Sequence, residues 1–381
     1  MTARGEAALT TRGKAALTTR AKAPAIHFLE VIMSRLKLAF LSLLCLGLAV
    51  PTLGAQQIQT VEIVEWDVPW EQSRPRDPYV APDGKVWFVG QRSHYTAWLD
   101  RETGEFKQFP LEDGTGPHNL VVAEDGTVFY SGNRVGHIAS LDPESGDIET
   151  FAMPDAAARD PHTLVIGDEG EIWFTVQQGN FVGRFRPETG DVALLKTPDV
   201  VVGGRTSSSR PYGIKIDSDG HPWIVLFNTN KIATVDPESM QLKTFDLPDE
   251  RSRPRRLVID SEDRIWYVDY SLGRLGRLDP LTGDVKEWDN PSGPQSRPYG
   301  VAIDDSDRIW FVESGVQPNK FVGFDSDTEE FFSVTEIGSG GGSVRHMFYE
   351  AATNSIWFGT DANTLGQAKL PPVKPRTVTD G

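Results

Sequence analysis

The chain has 381 residues and one cysteine, Cys45, which lies in an apolar stretch near the N-terminus. Disulfides, thiolate metal sites and a cysteine nucleophile are therefore excluded from the rest of the protein. No apolar run reaches the roughly 20 residues of a membrane span, and the longest candidate, Leu38 to Val50, is too short. Basic side chains are also in deficit, with 38 Lys and Arg against 54 Asp and Glu for a net charge of −16. Residues 1–55 hold seven basic and two acidic groups, so without them the balance is −21. Such a surface repels nucleic acid and anionic membranes. Helical 3.6-residue periodicity is missing as well; the chain alternates with period two between turns rich in Asp, Gly and Pro.

A repeating phrase is present instead. A Pro or Arg, a polar ring-bearing or basic residue, a short apolar run, an Asp-rich turn and an aromatic pair recur seven times. The copies run from Pro78-Tyr79 to Trp87-Phe88, Pro117-His118 to Phe129-Tyr130, Pro161-His162 to Trp173-Phe174, and Pro211-Tyr212 to Trp223-Ile224. The remaining three run from Pro254-Arg255 to Trp266-Tyr267, Pro298-Tyr299 to Trp310-Phe311, and Arg345-His346 to Trp357-Phe358. Successive starts differ by 39, 44, 50, 43, 44 and 47 residues, the period of a four-stranded propeller blade. The fourth copy shows the strands plainly: 212–216 alternates, 217–220 is a turn, 223–226 is a buried run, 231–235 alternates again, and 242–247 closes before Pro248. The pattern predicts an all-β, seven-bladed β-propeller. Repeat seven stops at Pro371-Pro372 without a fourth strand, and residues 61–67 resemble the fourth strand 285–289, so the N-terminal strand is expected to complete the last blade.

This divides the chain into four parts. Residues 1–32 are a low-complexity extension with near-duplicate stretches, consistent with a true start at Met33. Residues 33–55 have the basic, apolar and small-residue regions of a secretory signal, cleaved after Ala55, which predicts a secreted or periplasmic protein. Residues 56–370 form the propeller, expected as a monomer, and 371–381 a tail.

The residue after each leading Pro begins the innermost strand of its blade, which places Tyr79, His118, His162, Tyr212, Arg255, Tyr299 and His346 in a ring at one mouth of the central channel. Six histidines follow the leader, and three of them occupy this one phase. Capping of strand ends is the structural alternative for any single member; the three histidines together with Arg255 point to a site for a small-molecule or peptide ligand. Glu313 and Asp269, three residues after their blade tryptophans, read as turn or strand-end partners.

Pro211-Tyr212-Gly213-Ile214, Pro298-Tyr299-Gly300-Val301, Trp173-Phe174-Thr175, Trp310-Phe311-Val312-Glu313, Val182-Gly183-Arg184 and Leu275-Gly276-Arg277 resemble blades of the virginiamycin B lyase (streptogramin lyase) family over roughly residues 58–370. The resemblance implies Mg2+-assisted elimination that opens a cyclic ester or depsipeptide. Such chemistry needs a base for the proton alpha to a carbonyl, a cation for the enolate and an acid or hydrogen bond for the departing carboxylate. By that pattern, two arrangements are open. In one, His118 and His162 are the acid–base pair with Asp160 on Mg2+; in the other, His346 is the base, supported by Tyr299 and Asp361. Tyr79, Tyr212, Arg255 and Arg345 would then contact substrate. The seventh blade departs from the family pattern, with Arg345 replacing Pro and Val344 replacing the acid. The competing reading is a non-enzymatic propeller that binds a peptide, polysaccharide or protein through its Tyr/Arg ring.

Overall fold

The computed structural model describes residues 58–374. The extension, the signal segment with Cys45 and the end of the tail lie outside the described residues. Seven four-stranded antiparallel sheets follow one another along the chain. Blade 4 contains Pro211–Ile216, Pro222–Leu226, Lys231–Asp236 and Gln241–Asp246, within a residue or so of the strands read from sequence. Helix among the described residues is limited to two 3-10 turns, Gly293–Ser296 and Ala351–Thr353. The 50-residue interval between the third and fourth repeats holds an extra hairpin, Asp199–Val202 with Arg205–Ser208.

The ring closes as expected. Glu62–Asp67 pairs antiparallel with Thr364–Lys369 and supplies the outer strand of blade 7. Trp66 stacks on Trp357 at 5.3 Å, and Gln59 adds a second clasp by hydrogen bonding with Phe332 and Val334 in blade 6. Two remote chain segments thus remove the edges that an open array would expose.

There is no single core. Among the described residues, buried apolar side chains form seven clusters, each centred on two adjacent blades, with Tyr299 of blade 6 joining the one between blades 4 and 5. This is how a chain of this length keeps every sheet covered on both faces. The blade tryptophans anchor the clusters and satisfy their indole N–H groups on nearby acids. Trp223 donates to Asp217 at 2.8 Å, Trp266 to Asp260 at 2.7 Å and Trp310 to Asp304 at 2.8 Å. The same aspartates hold their turns through the other carboxylate oxygen, which accepts backbone N–H groups two and four residues on. One carboxylate therefore fixes both a turn and the tryptophan that packs the next blade.

Trp223 is almost fully buried between blades 4 and 5. Trp223→Ala is expected to cost about 3–5 kcal/mol, measured by chemical denaturation; a near-neutral effect would contradict this packing.

Candidate functional site

All seven inner strands start on the same face of the propeller. In blades 1, 3, 4, 5 and 6 the register of the inner strand shifts by one residue directly after its start. Such a bulge re-aims side chains, and here it brings consecutive residues of one strand into the same buried cluster.

The register corrects one sequence assignment. Pro75, not Pro78, pairs with the residue three beyond the blade tryptophan, as Pro161, Pro211, Pro254 and Pro298 do. The ring member from blade 1 is therefore Arg76. Tyr79 pairs with Trp87, three residues further along, and packs on Phe348 at 4.6 Å. The corrected ring is Arg76, His118, His162, Tyr212, Arg255, Tyr299 and His346.

These side chains touch. The His118 and His162 rings lie 3.5 Å apart, and His162 lies 4.3 Å from Tyr212. The Tyr212 and Tyr299 hydroxyls share a hydrogen bond. The Arg255 guanidinium sits 3.6 Å from the Tyr299 ring centre, 4.2 Å from Tyr270 and 4.8 Å from Phe227, an aromatic box that favours a cation.

Sequence reasoning missed the next tier. Asp77, Asn119, Thr163 and Arg256 directly follow ring residues and are buried. Asp77, in the left-handed region at φ 50°, accepts Arg76 Nε at 3.1 Å and Asn119 Nδ2 at 3.0 Å, with Arg256 Nη2 at 3.5 Å. Arg256 donates Nε to the Arg345 carbonyl at 3.0 Å and Nη1 to Thr163 Oγ1 at 3.3 Å. Thr163 Oγ1 in turn bonds His162 Nδ1 at 2.8 Å. The signal was available in the paired phrases Arg74-Pro75-Arg76-Asp77 and Arg253-Pro254-Arg255-Arg256; aligning blade 1 on Arg-Pro rather than on Pro-Tyr exposes it.

Electrostatics follow from burial among arginines. Burial, reinforced by nearby guanidiniums, pushes His118 and His162 well below the ordinary imidazole value and His346 down to about 3, so all three are neutral at pH 7. Burial alone would raise Asp77, but Arg76, the other cations around it and the Arg76 hydrogen bond hold it ionised. Burial likewise opposes ionisation of Tyr212, yet Arg255, Arg256 and Arg76 more than offset it and draw the hydroxyl down to about 8. Tyr299 moves up, through burial and its tyrosine neighbour.

The residues do not fit Mg2+. Both Asp160 oxygens cap a turn, accepting the Gln178 and Gly179 amides at 2.7 and 2.9 Å. Asp361 is engaged by Arg345, with Nη2 at 2.6 Å, and by Arg74 at 3.3 Å. Glu313 accepts the Ser292 amide at 2.9 Å, and Asp269 accepts three backbone amides, as turn partners should. That leaves Asp77, already surrounded by arginines, and no group of three metal-ligating side chains occurs among the described residues. The buried polar atoms here that make no hydrogen bond are Arg76 Nη2, Arg255 Nε, Arg256 Nη2, His118 Nδ1 and His346 Nδ1, of which Arg256 Nη2 and His118 Nδ1 lie 3.5 and 3.9 Å from Asp77. Guanidinium donors call for an anion or an oxyanion rather than a hard cation that prefers oxygen ligands.

The virginiamycin B lyase family model matches residues 53–319. The chain belongs to that family. Among solved structures, virginiamycin B lyase from Staphylococcus aureus superposes with a TM-score of 0.72 at 23% identity, covering 81% of this chain and 99% of that one. A catalytically inactive His-to-Ala variant of that enzyme with quinupristin gives 0.71 at 22%, covering 81% and 99%. Kuenenia stuttgartiensis hydrazine synthase gives 0.67 at 12%, covering 81% and 98%. Identities this low establish the propeller and leave chemistry to the residues. No curated protein matches the chain. Within this family member, the structure gathers His118, His162, Tyr212, Arg255, Tyr299 and His346 at one mouth and leaves Tyr79, Asp160 and Asp361 outside the ring.

The buried neutral histidines impose a pH dependence. Unfolded histidines protonate near pH 6.5 and the native ones do so only far lower, so the unfolded state gains protons first as pH falls. Stability is full above pH 6.5 and declines below it, by up to about 1.4 kcal/mol per pH unit for each histidine. Lowering the pH from 7 to 5 should therefore lower the denaturation midpoint, and His162→Gln should make that dependence shallower by about one proton. A slope unchanged by the substitution would show that His162 titrates alike in both states.

Proposed function

We propose that this protein is an exported carbon–oxygen lyase that opens a cyclic ester or depsipeptide by elimination at the Arg76–His162 mouth, with arginines in the role given to Mg2+ by the family resemblance. The supporting observation is the closely packed, neutral His118–His162 pair, with His162 linked through Thr163 to Arg256, beside guanidinium nitrogens of Arg76 and Arg256 that make no hydrogen bond. A neutral imidazole of this pair takes the proton alpha to the carbonyl. The electron pair moves toward the carbonyl oxygen, where the Arg76 and Arg256 donors hold the developing charge. Collapse of the enolate forms the alkene as the carbon–oxygen bond breaks, and the carboxylate leaves beside Tyr212 and Arg255. No water is consumed.

A second reading, ligand binding without turnover, is supported by the near-complete burial of His118 and His162 and by the mutual bonding of the ring. A substrate must displace those contacts to reach the imidazoles.

Incubation of the mature protein with quinupristin, followed by mass spectrometry, separates the two. Elimination gives a linear product of unchanged mass, insensitive to EDTA and lowered at least 100-fold by His162→Ala. Loss of product with EDTA would return the cation role to a metal. A product heavier by one water would replace elimination with hydrolysis, and intact quinupristin that still binds would favour the second reading.

A further inference from the structure

Three residues beyond the histidine ring, about 10 Å along the inner strands, the channel changes character. The seven residues paired with the blade tryptophan, or with Phe129 in blade 2, include Tyr79, Val121, Val165, Val258, Ala302 and Phe348, and in this apolar collar blade 4 contributes Lys215. Two pockets meet at Lys215 and Phe348. One, of about 180 Å3, is lined by Tyr79, Leu164, Val165 and Ile166 and reaches His346; the other, of about 190 Å3, is lined by Val258, Ile259, Ala302 and Met347.

Lys215 has no hydrogen bond or ion pair among the described residues, although it is half-buried. No Asp or Glu lines either pocket, and the titratable neighbours are Tyr79, Tyr349 and His346. Burial, together with the Arg256 charge above, draws the ammonium down to about 8. A lone amine in an apolar pocket is costly unless something else compensates it, and here no side chain does. It cannot be explained by the elimination chemistry, which takes place at the other end of the strands.

We propose that the channel carries a second site, entered from the mouth opposite the histidines, in which Lys215 binds the carboxylate of a small acid whose apolar body lies between Tyr79 and Phe348. The collar sets the class: room for a short aliphatic chain or one aromatic ring, a single cation to pair with a single negative charge, and no carboxylate to compete for that cation. The site stands whether or not quinupristin is turned over.

Benzoate is the probe and benzamide its uncharged counterpart. In calorimetric titrations of the mature protein, benzoate should bind saturably and at least tenfold more tightly than benzamide, and Lys215→Met should abolish that preference. Equal binding of the two probes, or an unchanged preference in Lys215→Met, would overturn the proposal. The wild-type protein gives an independent measurement through trace acetylation read by mass spectrometry. Pairing with an anion favours the charged amine, so benzoate should slow Lys215 acetylation at pH 8 by at least fivefold; no protection, or equal protection by benzamide, would refute the site.

Discussion

Everything in this molecule depends on the closure of a ring by segments almost 300 residues apart. A blade cannot cover its own two faces, so each is stable only between neighbours, and the first and last lack one until Glu62–Asp67 joins Thr364–Lys369. Closure fixes seven inner strands around one axis. That symmetry places residues remote in sequence, such as Asp77 and Arg256, within 3.5 Å of each other.

The second constraint is charge. The chain is strongly acidic overall, yet its axis collects Arg76, Arg255, Arg256 and Lys215 against the single carboxylate of Asp77. Buried cations are tolerated because each guanidinium is spread over several contacts: Asp77 and the Arg345 carbonyl for Arg256, aromatic faces for Arg255. The excess that remains makes the axis receptive to negative charge, whether a resting anion or an oxyanion formed during reaction. Burial, reinforced by that charge, keeps the three histidines neutral, which is the form a base requires.

Family membership leaves the chemistry to the site residues for a physical reason. The repeated apolar, turn and tryptophan positions decide that blades form and pack, and these are what the chain shares over residues 53–319. The residue after each leading Pro is less bound by that duty, because its side chain faces the axis, although Tyr212 and Tyr299 also join the packing between blades 4 and 5. A propeller can therefore keep its architecture while the residues at the mouth change.

Seven blades, their strands and their closure were readable in the sequence because period-two alternation, Asp-Gly turns and an aromatic residue at the same position of each blade, tryptophan in six of the seven, are local signals that packing reinforces. The ring was readable for six of its seven members; Tyr79 was mistaken for the seventh because Pro78-Tyr79 imitates Pro211-Tyr212, while the true start, Pro75-Arg76, is set by cross-strand register. Asp160 and Asp361 looked available for a metal, and their commitment to backbone amides and to Arg345 and Arg74 depends on loops that local sequence does not position. Asp77 and Arg256 carried a signal in the paired Arg-Pro phrases, while Lys215 gave none, because its isolation depends on strands of other blades. The sequence by itself determined the blades and six of the seven residues that ring the axis; only the tertiary structure decided the seventh and which of them meet, because contacts across a channel join strands from different blades, and no local pattern encodes the angle between them.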